Sequence, residues 1–196
     1  MTTGNHDDTL LSRATGSFML LEASSTPASA LEVLGSRDFG IVVTGGDPVA
    51  VVTGAGLRSA LDEGISPLSS AALPPAVVAD EDLTFTEFAD SPGVTFLELG
   101  PPAIVLTGGG AVTAVLPVSE LFAFLGSGAY DPPPDEMGVH GANDDGRLHG
   151  PPRTPSARVR CRADGCLFVN DLDYFDPRHP PPCTNPGLPP HRLRMR

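Results

Sequence analysis

All three cysteines of this 196-residue chain lie in its last 40 residues: Cys161, Cys166 and Cys183. Cys161-Arg162-Ala163-Asp164-Gly165-Cys166 is a tight Cys-x4-Cys loop, and Gly165 lets the backbone turn just before the second sulfur. After 16 intervening residues, Cys183 through His191 offers a third sulfur and an imidazole. Three thiolates and one neutral ring nitrogen are the donor set of a closed, structural, tetrahedral zinc site, which leaves no open position for catalysis. His179 is an alternative fourth ligand, but its neighbours Pro180, Pro181 and Pro182 favour His191. The competing readings are a disulfide with one spare thiol, or three unrelated thiols. Three cysteines are too few for a disulfide scaffold, and their odd number fits a reducing compartment.

Two close ligands on a turn, followed by two more after a short excursion, resemble a zinc ribbon. The Cys-x4-Cys and Cys-x7-His spacings are looser than the Cys-x2-Cys knuckles of that family. Size argues for a metal as well. A 40-residue segment whose main apolar content is Leu167, Phe168, Val169, Leu172, Tyr174 and Phe175 makes a marginal core by itself.

The elements upstream form an internal repeat. Ile41-Val42-Val43-Thr44-Gly45-Gly46 corresponds to Ile104-Val105-Leu106-Thr107-Gly108-Gly109, and a second apolar run follows each: Val49–Val52 and Val112–Leu116. Strand, glycine turn, strand is a hairpin signal. Leu57 and Leu61, and again Leu121 and Leu125, sit one helical turn apart after each hairpin. Thr26-Pro27 and Ser91-Pro92 read as N-cap and first helical residue of an earlier helix in each half. Each half thus reads strand, helix, strand, strand, helix, and two such halves bury each other's sheets.

This order resembles a tandem pair of cystathionine-β-synthase (CBS) domains, the Bateman module, over about Phe18 to Gly128; Val49-Ala50-Val51-Val52-Thr53 with Gly56-Leu57 is similar to its strand-to-helix junction. The resemblance implies an α/β (α+β) fold of two pseudo-twofold-related β-α-β-β-α repeats with clefts between the sheets. It also implies a regulatory role, adenine nucleotides as possible ligands, and homodimerisation. Nucleotide-binding members often carry Thr or Ser, two residues, then Asp at this junction. Here Thr53 is present, with Gly56 in the Asp position; in the second half Pro117 replaces the Thr, and Glu120 stands at the acidic position. Thr53 and Glu120 are the candidate ligand-binding residues. Arg37 and Arg58 are the basic residues inside the module that could meet a phosphate.

Charge divides the chain in the same way. The formal charge is −12, from 12 Arg, no Lys and 24 acids. Residues 1–150 hold 4 Arg against 20 acids, and residues 151–196 hold 8 Arg against 4 Asp. The expected organisation is a disordered tail at 1–16, a CBS-like pair at 17–129 (repeats at about 17–65 and 75–129), a flexible linker at 130–156 and a zinc-ribbon-like element at 157–196. Without Lys there is neither a P-loop nor a Schiff-base lysine, and no Gly-x-Ser-x-Gly elbow occurs. Asp171 and Asp173 read as a solvated turn rather than an acid pair. The expected function is non-enzymatic: a sensor or dimerisation module joined to a zinc element that docks a protein partner. The alternative is nucleic-acid association through the basic C-terminus, whose arginines could equally pair with the acidic module. Met1 to Asp8 has no signal-peptide pattern, and Leu99–Ser119 is broken by Pro and Gly, so a cytoplasmic protein without a membrane span is expected. Arginine-only, Ala/Gly/Pro-rich usage suggests a bacterial source.

Overall fold

The computed structural model describes residues 9–127, 154–176 and 178–195. The first repeat comprises β1 (Phe18–Glu22), α1 (Pro27–Leu34), β2 (Phe39–Thr44), β3 (Asp47–Val52) and α2 (Gly54–Asp62). The second comprises β4 (Ala76–Asp80), α3 (Phe85–Asp90), β5 (Ala103–Gly108), β6 (Ala111–Pro117) and α4 (Val118–Gly126). In both, the first strand pairs parallel with the second, and the hairpin closes antiparallel. Both hairpins turn on two consecutive glycines at positive φ, Gly45-Gly46 and Gly109-Gly110, as a two-residue loop of primed type requires.

The two sheets pack face to face through Ile41, Val43 and Val51 from one side and Ala76, Ala103, Val105 and Val115 from the other. The alternate residues of β2 and β3, Val42, Ala50 and Val52, turn outward onto α1 and α2. The strands are buried on both faces, which is why they read as continuous β-branched runs rather than as an alternation. Behind the second sheet, Phe85, Phe88 and Phe96 are fully buried, each worth about 1.5–3 kcal/mol of burial.

The repeat is aligned differently from the sequence expectation. Thr26 does cap α1, its hydroxyl accepting from the Ser29 amide. The counterpart of α1, however, is α3, capped by Thr84 with a reciprocal bond between Glu87 and the Thr84 amide. Ser91-Pro92 instead opens a 3-10 helix, Pro92–Leu99. This extra segment lies between α3 and β5, where the first repeat has only a short loop.

The N-terminal residues correct a second expectation. Residues 9–16, assigned to a disordered tail, pack onto the second repeat. Leu10 is fully buried beside Phe85 and Phe88, its amide donates to Leu83, and the Gly16 amide donates to Val115. Residues 1–8 and most of the expected linker lie outside the described residues.

The C-terminal segment joins the second sheet. Strand β7 (Ser156–Arg160) pairs antiparallel with β4, and β8 (Val169–Leu172) pairs with β7. The sheet order is β6-β5-β4-β7-β8. Ala157, Val159, Leu172 and Phe175 belong to the same buried cluster as Val77, Ile104 and Leu106. The marginal core expected of this segment is therefore shared with the second repeat. Asp171, expected on a turn, lies on β8, where it accepts from the Arg158 guanidinium.

Candidate metal centre

Strand β7 runs straight into the first two cysteines. The Cys161 amide donates to the Phe168 carbonyl, and the Cys166 amide returns to Ala163. Gly165, just before Cys166, takes φ 73°, and Leu167, just after it, φ 52°, so the chain doubles back around the second sulfur. The second pair is held by an antiparallel bridge between Pro182 and Arg192. The Cys183 amide donates to the His191 carbonyl, and that of Leu193 to Pro181. These bonds close the Cys-x7-His excursion into a loop with both ligand residues at its base.

The structure brings Cys161, Cys166, Cys183 and His191 together, with all four donor atoms within 4.8 Å of one another. Cys161 Sγ lies 3.5 Å from His191 Nε2, and Cys166 Sγ lies 3.6 Å from Cys183 Sγ. Four tetrahedral ligands at ordinary zinc–sulfur and zinc–nitrogen lengths stand about 3.6–3.8 Å apart. The cluster thus has the size and donor chemistry to hold a metal ion. The three thiols are free rather than bridged. His179 stands apart, 78% exposed at its side chain and paired with Asp176 at 2.9 Å.

Second-sphere contacts orient these donors. His191 Nδ1 lies 2.9 Å from the Pro189 carbonyl; an N–H donated there leaves Nε2 bare toward the sulfurs, the usual arrangement of a ligating imidazole. Asn170, 1% exposed, was missed in the sequence. Its amide nitrogen donates to Cys183 Sγ and to the Phe168 carbonyl, and its oxygen accepts from the Thr184 amide and hydroxyl. Asn185 Nδ2 donates to Cys166 Sγ at 3.4 Å. Two asparagines on either side of Cys183 were the available signal. Desolvation pushes the Cys166 thiol up, but hydrogen bonds from Asn185, the Phe168 backbone, Cys183 and His191 outweigh it and bring the thiol to about 6. His191 is raised, chiefly by its bond to Pro189 and by contact with Cys166. The two shifts run in opposite directions, the thiol down and the imidazole up.

The other two candidates sit elsewhere. Thr53 caps α2, its hydroxyl accepting from the Gly56 amide at 3.3 Å. With Gly56, Ser59, Glu63 and Pro102 it lines a cleft of about 320 Å³ between the repeats, and among the described residues no arginine lines that cleft. Glu120 lies in the first turn of α4 and borders neither this cleft nor a larger cavity beside the metal cluster.

By element order, residues 18–126 form two CBS-like repeats. No family model and no curated protein sequence matches the chain. Among solved structures it is similar to a CBS domain-containing protein of unknown function from Kribbella flavida, at 17% identity over 60% of this chain and 98% of that one, TM-score 0.42. It is also similar to the CBS domain pair of protein MJ0100, in complex with 5′-methylthioadenosine and S-adenosyl-L-methionine (13%, 60% and 98%, TM-score 0.46). A third is CBSX2 in complex with AMP (16%, 63% and 99%, TM-score 0.42). No helix among the described residues is long and apolar enough to cross a membrane.

Proposed function

We propose that this chain is a non-enzymatic regulatory or adaptor protein. A CBS-pair-like module serves sensing or dimerisation, and a structural zinc element, Cys161, Cys166, Cys183 and His191, docks a protein partner. The observation that carries the reading is the donor cluster: three sulfurs and one imidazole nitrogen within 4.8 Å, each pair of close contacts at the spacing of tetrahedral ligands. Four protein donors favour a structural over a catalytic ion. Structural zinc contributes roughly 10–16 kcal/mol of apparent binding energy in small elements. Metal analysis of the purified protein should find about one zinc per chain. A metal-free protein whose cysteine loops stay ordered overturns this reading.

The sensor form of the proposal places an adenosine-type ligand at Thr53. The cleft there has no arginine and includes Glu63, so an uncharged nucleoside suits it better than a polyphosphate, which the surrounding acids would repel. Thermal shift with 5′-methylthioadenosine, adenosine and AMP tests this. No shift at millimolar ligand leaves the dimerisation form. The arginines of β7 and just beyond it bear on the nucleic-acid alternative: Arg158 pairs with Asp47 and Asp171, and Arg162 with the carbonyls of Ser70 and Ala71. These two cations are used inside the chain, which favours the protein-partner reading.

A further inference from the structure

Strand β7 and the residues after it carry a ladder of arginines. Ala157, Val159 and Cys161 are buried in the core behind the second sheet. Alternation therefore turns Arg158, Arg160 and Arg162 to the opposite face, toward the first repeat. Arg158 is neutralised there by Asp47, 2.9 Å away, and by Asp171. Arg162 donates to the Ser70 and Ala71 carbonyls, acceptors that leave its charge uncompensated. Arg160 and Arg194 have no carboxylate partner among the described residues. The Arg162 amide donates to the Arg194 carbonyl, which brings residue 194 beside the end of β7.

Arg160, Arg162 and Arg194 line a cavity of about 780 Å³ between the first repeat, the inter-repeat connection and the metal element. One carboxylate, Glu98, shares its wall with these three cations; Leu68, Leu73, Phe175 and Met195 are among the apolar remainder. Its volume is within the range of small-molecule sites. Three arginines lining one cavity beside an apolar wall, in a chain of net charge −12, are an arrangement that a bound anion stabilises. Guanidinium is also the side chain best shaped for two-point recognition of carboxylate or phosphate.

We propose that this cavity binds an organic anion consisting of a carboxylate or phosphate-ester headgroup on an apolar body, with the headgroup held by Arg160 and Arg194 and the body laid against Leu68, Leu73 and Phe175. This site is separate from the Thr53 cleft and does not rest on the function proposed above.

Calorimetric titration of the full-length chain with octanoate, octyl phosphate and octanol tests it. At least one anion should bind saturably, one per chain, and at least about tenfold more tightly than octanol, since a charged hydrogen bond is worth about that factor. The preferred anion identifies the headgroup. Arg160→Gln with Arg194→Gln should weaken that anion at least about tenfold, and Arg13→Gln, at an exposed site away from the cavity, should not. Failure of both anions to saturate at millimolar concentration, equal binding of octanol, or wild-type affinity in the folded double variant each overturns the proposal. If the double variant misfolds by near-ultraviolet circular dichroism, the octanol comparison on the wild type decides alone.

Discussion

Asn170 offers the sharpest test of the metal centre, because its two ends do different work. Its oxygen holds Thr184 through two bonds, at 2.8 and 3.1 Å, and its amide nitrogen faces Cys183 Sγ at 3.5 Å. A hydrogen bond to a charged acceptor contributes about 1.5–3 kcal/mol; sulfur at this distance belongs at the lower end. Asn170→Ala should therefore weaken zinc about tenfold. Asn170→Asp keeps the oxygen facing Thr184 but replaces the donor with a negative oxygen beside a thiolate. Two like charges about 4 Å apart repel by up to about 4 kcal/mol near a protein surface, so a loss of about a hundredfold or more is expected. The assay is competition with a chromophoric chelator at pH 7.5, with circular dichroism melts to compare the metal-free folds. If Asn170→Asp binds zinc within about threefold of wild type, the amide does not orient Cys183 toward a metal. If both variants lower the melting temperature alike while affinity holds, Asn170 is only a strut between β8 and the Cys183 loop.

Other expectations follow from the same contacts. His191→Ala should lower zinc affinity and destabilise the C-terminal segment, whereas His179→Ala, at an exposed ion pair, should change neither in the same competition assay. Zinc affinity should fall more steeply, by one further proton per metal, once pH drops through about 6, where Cys166 takes up a proton that the metal must displace; chelator competition across pH 5–8 reads the slope. In the metal-free chain the depressed Cys166 thiol stabilises the fold at high pH and that contribution is lost as pH falls from 9.0 through about 6, whereas the raised His191 acts oppositely and its contribution is lost as pH rises above its ordinary 6.5. Gly93→Ala would set a methyl 2.6 Å from the Pro155 ring; overpacking of this kind costs about 1–3 kcal/mol, measurable by urea unfolding, and should loosen the entry to β7. Chelation should speed amide exchange at Cys166 and Cys183 and spare the paired amides of β4 and β5, as read by hydrogen–deuterium exchange.

The fold was legible wherever a local signal decided it. Thr26 and Thr53 cap helices because a hydroxyl three residues before a free amide can close that bond without tertiary help. The glycine pairs mark the hairpins because glycine takes positive φ at both central positions without steric cost. The misaligned second repeat shows the limit of such signals. Ser91-Pro92 and Thr84–Glu87 are both good helix starts, and local chemistry alone does not rank them. Packing ranks them. Phe85 and Phe88 enter the core from a helix opened at Thr84, and the Ser91 start is left to a 3-10 segment whose Gly93 abuts Pro155.

The metal cluster was legible as a donor set because cysteine is rare enough to be counted, and the chain places all three of its cysteines, with two of its five histidines, in its last 40 residues. What counting misses is the frame. Ser156-Ala157-Arg158-Val159-Arg160 alternates apolar and charged residues, a strand signal in itself, but its partner β4 lies some 80 positions earlier, and no local pattern names a partner. That pairing changes the meaning of the segment. Isolated, about 40 residues need the ion to hold any structure. Attached to β4, they draw on the core behind the second sheet, and the cysteine loops alone depend on the donors. The same pairing turns the odd-numbered apolar residues of β7 inward and its arginines toward the first repeat. The basic C-terminus, read from sequence as a possible nucleic-acid surface, thereby spends Arg158 and Arg162 on contacts within the chain and leaves Arg160 at the edge of a cavity. A charge excess counted along the sequence does not say which side of a strand it occupies; the register against β4 does.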